Sequence, residues 1–248
     1  MTQSILAFIN QQILDAESEL AKYQPREMNW ADRSRASSAK LIPWLENAAP
    51  GLNSYVEDVL NAPAALRELW KEARNRSKLP GQVKTEFDRL LKLDDVLRES
   101  VTGEAVSKVV TIYLTKQNPD FQSNGRSDYP DLFLQSADYS GLGAFQRRRG
   151  ADIEFGAALK DADRRLVRVP DGLAIKTCRD TIRVDCHHPH AGLHLAVVFS
   201  ETKRRFTVGD ILIAFLKSTD YREAARNTTA TTPKYSFNGD RFVSLLRP

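Results

Sequence analysis

The chain is poor in cysteine and has no long apolar run. Only two cysteines occur among its 248 residues, Cys178 and Cys186. Two thiols cannot build the disulfide framework of a small secreted domain, and we expect both to be reduced inside the cell. No apolar stretch approaches the roughly 20 residues that a membrane-spanning helix needs, so we expect no membrane partner.

The N-terminal segment also lacks the features of a secretory signal. The stretch MTQSILAFINQQILDAESELAKY has no positively charged start and no small-residue cleavage site. Its apolar residues recur at helical spacing, which predicts an amphipathic helix. These absences together predict a cytoplasmic protein.

The charge balance is only mildly basic. Lysine and arginine number 36 against 32 acidic residues, which gives a formal net charge of +4. This excess is a weak indication of a polyanionic partner and does not by itself predict nucleic-acid binding.

Helical periodicity dominates the first half of the chain, and proline punctuates it. We predict breaks at Pro50-Gly51 and at Pro80-Gly81, because proline cannot continue an undistorted helix. The predicted helices after the N-terminal one are Ala36–Glu46, Leu52–Leu60, Pro63–Asn75, Gly81–Leu93 and Asp94–Thr115.

The second half changes to short apolar runs typical of buried strands. The shift falls in the polar segment 117–130, and it predicts a helical region at 1–117 followed by a sheet core at 118–248. The two form either separate parts or one compact domain, and the fold class is α/β in the broad sense, an α+β arrangement. The predicted strands are Asp131–Leu134, Gly172–Thr177, Leu193–Phe199 and Asp210–Leu216.

An acid and a lysine lie on two of these predicted strands. Asp131 follows a proline at the start of one strand, and Lys176 ends the apolar run of the next. If the strands pair, a carboxylate and an ammonium converge at one edge of the sheet. A carboxylate with a backbone carbonyl can hold Mg²⁺, and a nearby lysine can position a water or stabilise a phosphate. The alternatives are a turn-forming aspartate and a solvated lysine.

The stretch SDYPDLFL followed by DGLAIKTCRD resembles the PD-(D/E)xK signature of nucleases, and more narrowly that of type II restriction endonucleases. The C-terminal stretch LIAFLKSTDYREAARNTTATTPKYSFNGDRFVSLLRP is similar to the same region of some bacterial restriction enzymes, so the resemblance covers about 125–248. It implies a mixed-sheet core of the restriction-endonuclease type. It also implies Mg²⁺ bound by Asp131 and the Ile175 carbonyl, with Lys176 positioning the water.

The sequence departs from the family pattern at Ala174, where the pattern has Glu or Asp. One explanation is that the acid has been replaced, leaving an inactive variant. A second is that Glu154, Glu104 or Asp171 supplies the carboxylate. The resemblance suggests Glu104 in particular, because a helix before the PD strand often offers a glutamate in such nucleases. A third explanation is a protein that binds DNA without cutting it.

Several polar and basic residues are candidate contacts to DNA phosphates or base edges. Arginines form a run before Gly150, histidines follow the Lys176 strand, and a threonine-rich loop lies near the C-terminus. Such groups suit both kinds of contact, although each set is equally typical of a solvated surface. The candidates are Arg147, Arg148, Arg149, Arg179, Arg183, His187, His188, His190, Arg226, Asn227, Thr228, Thr231 and Lys234.

The cysteines and histidines leave a zinc site open as an alternative. All four histidines fall within CHHPHAGLH, close to both cysteines, but the spacing lacks the separated ligand pairs typical of zinc. We expect His194 to begin a buried strand instead.

The leading hypothesis is therefore a type II site-specific deoxyribonuclease that hydrolyses double-stranded DNA with Mg²⁺ in a restriction-modification system. A palindromic site would require a two-fold homodimer. The alternatives are a non-catalytic, sequence-specific DNA-binding module on a degenerate nuclease fold and an unrelated zinc-binding α+β protein.

Overall fold

The structure is a computed structural model, and it describes a large part of the chain in several ranges. These ranges are residues 4–23, 26, 28–62, 91–123, 131–134, 147–149, 152–154, 172–182, 190–202, 205–223, 235–237 and 239–247.

Helices occupy most of the described residues before residue 118. The described helices are α1 (Ile5–Asp15), α2 (Glu17–Leu20), α3 (Trp30–Asn61) and α4 (Leu91–Gln117). Side chains cap the starts of α1 and α3, because Ser4 Oγ accepts the Ala7 amide at 3.2 Å and Asn29 Oδ1 accepts the Asp32 amide at 3.1 Å. The predicted N-terminal helix is confirmed, and Asp94–Thr115 lies within α4.

The predicted break at Pro50-Gly51 is wrong, because α3 runs without interruption through both Pro43 and Pro50. Each proline removes one helical hydrogen bond and leaves a carbonyl without its usual donor. Both prolines are exposed, so water can reach those carbonyls. A stripe of buried residues at helical spacing, including Leu45 and Leu52, continues across the prolines and holds the helix against the core.

Two further predicted helices cannot be compared with the structure. Pro63–Asn75 lies outside the described residues, and so does Gly81–Leu93 except for its last three residues, which begin α4.

A six-stranded mixed sheet forms the second layer. Its order is β1-β2-β5-β6-β7-β10, in which β5 and β6 are parallel and the other neighbours are antiparallel. The pairs β3–β4 and β8–β9 form separate two-stranded sheets. The strands are β1 (Phe121–Ser123), β2 (Leu132–Leu134), β3 (Arg147–Arg149), β4 (Asp152–Glu154), β5 (Leu173–Arg179), β6 (Gly192–Thr202), β7 (Arg205–Leu216), β8 (Tyr221–Glu223), β9 (Tyr235–Phe237) and β10 (Val243–Ser244).

The two faces of the large sheet have different surroundings. On one face, alternate residues of the central strands, such as Ile175, Leu195 and Ile213, join the buried side chains of α1, α3 and α4 in the main hydrophobic core. We call this the helical face. The other face carries Cys178 and Ala196, which pack with Tyr221 in a smaller cluster. We call this the open face, because the described helices do not cover it.

The mixed sheet with packed helices confirms the α+β class. All four predicted strands are present, and each differs from its prediction at one end or at both. The division at residue 117 stays a prediction. Within the described part of the chain, no helix has the length and apolar character to cross a membrane.

Candidate functional site

The two strands that carry the motifs pair with each other. Strands β2 and β5 run antiparallel, with Leu132 opposite Leu173. Just before β2, the Asp131 carboxylate accepts a hydrogen bond from the Ile175 amide at 2.6 Å. Because β2 begins only at Leu132, the carboxylate takes the place of a strand partner for that amide. The bond therefore brings the Pro-Asp and Ala-x-Lys motifs into contact.

Strand register places the motif residues on one face of the sheet. Continuing the β2–β5 register by one step sets Asp131 opposite Ala174, and residues opposite each other share a face. Lys176 lies two residues further along the same strand, so it points to that face too. This is the open face, because the intervening Ile175 belongs to the main core on the other side.

The electrostatics of Asp131 agree with this placement. The carboxyl is partly buried, and burial raises its pKa above the ordinary value of 3.8, while the Lys176 charge and the Ile175 amide both act in the opposite direction. Lys176 is therefore near enough to stabilise the ionised carboxylate. The corner of Asp131, Ala174 and Lys176 thus combines an acid in a poorly solvated position with an adjacent cation, an arrangement that is common in functional sites.

A histidine lies on the other flank of the same corner. In the parallel β5–β6 pair, His194 is opposite Ala174 and Ala196 is opposite Lys176. Asp131, Ala174 and His194 therefore form a row across three neighbouring strands. The prediction that His194 lies near the start of a buried strand is confirmed, since its side chain is completely buried in β6.

Two hydrogen bonds determine the protonation of His194. Its Nδ1 lies 2.7 Å from the Gly192 carbonyl, which can only accept, so Nδ1 carries a proton. Its Nε2 lies 2.8 Å from the Tyr221 hydroxyl. Burial lowers the pKa of His194 well below 6.5, and the charges of His190 and Lys176 lower it further. The ring is therefore neutral, and the Tyr221 hydroxyl donates to Nε2.

His190 belongs to the interior next to this row. It is 4% exposed, and its ring centroid lies 5.0 Å from that of His194. Such burial disfavours the DNA contact expected of it, which stays a prediction.

The described residues of this corner supply only part of the ligand set of a magnesium ion, which usually keeps several waters. The described donors are the Asp131 carboxylate and the Ile175 carbonyl, and Ala174 offers only a methyl group. Magnesium takes six ligands in a strict octahedral geometry. Among the residues that the structure describes, no group of three or more His, Cys, Asp or Glu side chains is arranged to hold a metal ion. A zinc site also gains no support from His194, since both of its ring nitrogens are engaged.

Three acids are candidates to supply the carboxylate that position 174 lacks. The described residues do not show any of them at the corner. Glu104 follows Gly103, whose Cα faces Thr177 so closely that an added Cβ would lie 3.0 Å from the Thr177 hydroxyl. Thr177 points to the helical face, opposite to Lys176. Glu154 lies in the separate β3–β4 pair, and Asp171 lies outside the described residues. Each role stays a prediction.

The arginine run forms β3, and its partner strand is acidic. Arg147 is opposite Glu154, and Arg149 is opposite Asp152. The phosphate contacts of these arginines stay predictions. Arg179 ends β5 and lies 3.9 Å from the Asp180 carboxylate. The remaining candidates lie outside the described residues: Arg183, His187, His188, Arg226, Asn227, Thr228, Thr231 and Lys234.

Sequence reasoning missed Tyr221. Its hydroxyl bonds to His194, and its ring covers the open face beside Cys178 and Ala196. A single tyrosine after a polar turn carries no periodic signal, and its strand β8 belongs to a separate two-stranded sheet, so only the side-chain hydrogen bond to His194 associates it with the corner.

Comparison of the chain with protein-family models, with curated proteins and with solved structures finds no match.

Proposed function

We propose that the chain is a type II restriction-endonuclease-like protein of the PD-(D/E)xK class, which acts on double-stranded DNA. Its hydrolytic corner is inactive as it stands, because Ala174 occupies the place of an acid. The observation that carries the proposal is the 2.6 Å bond from the Ile175 amide to the Asp131 carboxylate. This bond joins the two motifs at one corner, with Lys176 beside the acid.

Each residue of the corner has a role in this proposal. Lys176 would stabilise negative charge on a phosphate and orient the attacking water. Asp131, together with an acid at position 174, would bind a divalent cation. With Ala174 in place, Asp131 is the one acidic side chain that the described residues bring to the corner, and we assign no hydrolytic step to the chain in this form.

The proposal includes the partners expected from the sequence. The substrate is duplex DNA with a short specific site, and a palindromic site implies a homodimer in the cytoplasm. The basic residues named above would contact phosphates. Because each neutralised phosphate releases counterions, DNA affinity should fall steeply as salt rises.

Restoring the acid tests the proposal. Supercoiled and linear DNA would be incubated with the Ala174→Glu variant and Mg²⁺, and discrete fragments are expected. The matched control is Ala174→Gln, which has nearly the same size and no negative charge, and it should not cleave. Adding Lys176→Met to the Ala174→Glu variant should lower the cleavage rate by about 10²–10⁴-fold, the range for a general acid–base group.

Position 174 is 1% exposed, so folding must be checked alongside cleavage. Urea unfolding of both variants shows whether they remain folded. If Ala174→Glu and Ala174→Gln are equally folded, and neither cleaves with Mg²⁺ or Mn²⁺ at any salt concentration, the nuclease proposal fails.

A second candidate function is sequence-specific DNA binding without cleavage. It is favoured by the buried methyl group of Ala174, which packs at the centre of the row where a catalytic acid would be. In this case a single DNA sequence would be selected from a random pool, and the affinity would be the same with and without Mg²⁺. Selection of a sequence together with a failure of Ala174→Glu to cleave would favour this second function.

A further inference from the structure

The paired strands β6 and β7 continue beyond the other strands of the large sheet. Strand β5 pairs with β6 only as far as Arg179, which lies opposite Phe199. The pairing of β6 with β7 continues to Thr202 and Arg205. We call residues 200–202 of β6 and 205–207 of β7 the arm. In the described part of the chain, the arm is a two-stranded extension of the sheet.

The arm has one buried face and one exposed face, as is common in antiparallel sheets. The first half of β7 alternates between exposed and buried residues. Phe206 is 2% exposed and belongs to the main core together with Phe199, with 6.3 Å between the two ring centroids. Arg205 and Thr207 are exposed and lie on the opposite face. Because Phe206 continues the helical face of the sheet, Arg205 and Thr207 continue the open face.

Side chains of α3 hold the arm in place. Asn61 Oδ1 accepts the Phe206 amide at 2.8 Å, and Asn61 Nδ2 donates to the Phe206 carbonyl at 2.9 Å. Glu57 accepts the Val208 amide at 2.7 Å. These bonds occupy the outer edge of β7, where a further strand would otherwise pair. The exposed face of the arm, and not its edge, is therefore the surface that can meet a partner.

The exposed face carries groups that typically contact DNA phosphates. Ser200 lies opposite Thr207, so it shares the face of Thr207 and Arg205. Two hydroxyls and a guanidinium are donors to phosphate oxygens, and none of these three side chains is acidic. In the sequence, Arg205 directly follows Lys203 and Arg204, which lie outside the described residues.

The arm lies on the same face of the sheet as Lys176. Ala196 is opposite Lys176, and Ser200 and Thr202 follow it on β6. At about 3.3 Å per residue, they lie about 13 and 20 Å beyond Ala196, and Arg205 is opposite Thr202. One DNA strand has a phosphate about every 3.4 Å along the helix axis, so this span covers about six phosphates. That length suits a short recognition site.

One described acid lies on this face between Lys176 and the arm. It is Asp210, which is opposite Val198. Its carboxylate accepts the Ser244 hydroxyl at 2.6 Å and lies 3.8 Å from Arg247 Nε. The negative charge of Asp210 is thus compensated by its own neighbours.

We infer that the open face of the arm is a docking surface for the backbone of duplex DNA, beside the phosphate that Lys176 contacts. This inference deepens the proposed function and rests on it for the DNA substrate. Arg205 neutralises one phosphate, and the hydroxyls of Ser200 and Thr207 donate to its neighbours. Because Asn61 and the core hold the arm beforehand, DNA binding does not have to order it.

The first test measures binding and not cleavage. A fluorescently labelled linear duplex is titrated with the full chain between about 50 and 200 mM salt, and the affinity is followed by anisotropy. Each neutralised phosphate adds about 0.9 to the slope of log affinity against log salt, so Arg205→Gln should reduce the fall in affinity over this range by about 3.5-fold. Thr207→Val removes a neutral hydroxyl, so it should lower the affinity about 2–10-fold without changing the slope.

Arg35→Gln is the matched control, because it removes the same charge from α3, where Arg35 pairs with Glu17 and Asp32. Its slope should equal that of the unmodified chain. An unchanged slope for Arg205→Gln would overturn the inference. An equal decrease in both variants would also overturn it, because the effect would then follow net charge and not the arm.

The second test locates the DNA on the protein. A photoreactive p-benzoylphenylalanine in place of Thr207 should cross-link to the duplex. The same group in place of Ile112, which is 54% exposed on α4, should not. No cross-link from position 207, or equal yields from the two positions, would overturn the inference.

These tests separate the inference from the proposed function. If the unmodified chain binds no duplex DNA, both fail. If DNA binds through the arm but Ala174→Glu does not cleave, the nuclease proposal fails and the inference holds. If Ala174→Glu cleaves while Arg205→Gln keeps the original salt slope, only the inference fails.

Discussion

Replacing Asp131 by alanine or by asparagine should have different effects on stability. The carboxylate is the acceptor for the Ile175 amide at 2.6 Å, and Ile175 is only 5% exposed. Alanine removes the acceptor and leaves a buried N–H unsatisfied, which costs about 1–3 kcal/mol. Asparagine keeps an oxygen at nearly the same place, so the loss should stay within about 1 kcal/mol. The Asp131→Asn variant is therefore the matched control for Asp131→Ala.

The pH dependence of the same variants carries a second expectation. Because burial raises the pKa of Asp131, the folded protein holds this proton to higher pH than the unfolded chain does. Its contribution to the free energy of unfolding is fully present below pH 3.8 and is lost as pH rises through the folded pKa. Asp131→Asn cannot ionise, so its stability relative to the unmodified chain should improve between acid and neutral pH.

Urea unfolding followed by circular dichroism, at a series of pH values from about 3.5 to 7, measures both effects. The reasoning about the Ile175 amide would be refuted if Asp131→Asn lost as much stability as Asp131→Ala at the acid end. The reasoning about burial would be refuted if the unmodified chain and Asp131→Asn changed in parallel across the whole range.

Three further outcomes follow from other parts of the structure. Gln12→Leu, which deletes a buried amide bonded to both the Phe215 amide and a carbonyl near the C-terminus, should cost about 2–4 kcal/mol in urea unfolding. Gly51→Ala should destabilise α3, because the added methyl meets the Tyr113 hydroxyl; in a Tyr113→Phe background the same change should cost less or become stabilising by about 0.5–1 kcal/mol. The unmodified chain should lose stability as pH falls below 6.5, because His194 binds a proton in the unfolded chain but stays neutral in the folded protein. The His194→Gln variant should not show that part of the loss.

Four strands of the large sheet, β2, β5, β6 and β7, could be predicted from sequence because each contains an apolar run near turn residues, whereas β1 and β10 were not predicted. The order of the strands could not be predicted, since it depends on pairings between distant segments. The sequence could not predict that the strands of Asp131 and Lys176 pair. The register of β2 and β5 shows this pairing. Gly172 was included in a predicted strand, but it lies just before β5, where its φ of 114° is a conformation that favours glycine.

Local sequence rules were less successful for the helices than for the strands. Local rules predicted a break at Pro50, but the buried stripe of α3 extends across it and tertiary packing prevails over the proline. The contribution of Tyr221 to the candidate site was also beyond the sequence, because its partner His194 lies 27 residues away in the chain.

The contrast between the two faces of the sheet is the strongest physical reason to place function at this corner. The helical face carries mainly aliphatic and aromatic side chains, which stabilise the fold by burial. On the open face, β5 carries Lys176 two residues beyond Ala174, and the row through Ala174 holds Asp131, just before β2, and His194 on β6. Apolar residues there would avoid the desolvation of Asp131 and His194, whose pKa values burial shifts in opposite directions.

Stability alone therefore does not account for the ionisable residues of the open face. Ala174 differs from its two neighbours in the row Asp131–Ala174–His194, because its side chain is apolar and its burial carries no desolvation cost. A carboxylate added between an acid with a raised pKa and a neutral histidine would be hard to ionise without a counter-charge. Lys176 and a divalent cation could supply that charge, so the stability of Ala174→Glu should rise with added Mg²⁺ if the corner is built for a metal. The stability of Ala174→Gln should not depend on the Mg²⁺ concentration. Unfolding of both variants at a series of Mg²⁺ concentrations would then distinguish a metal site from a core position that merely tolerates alanine.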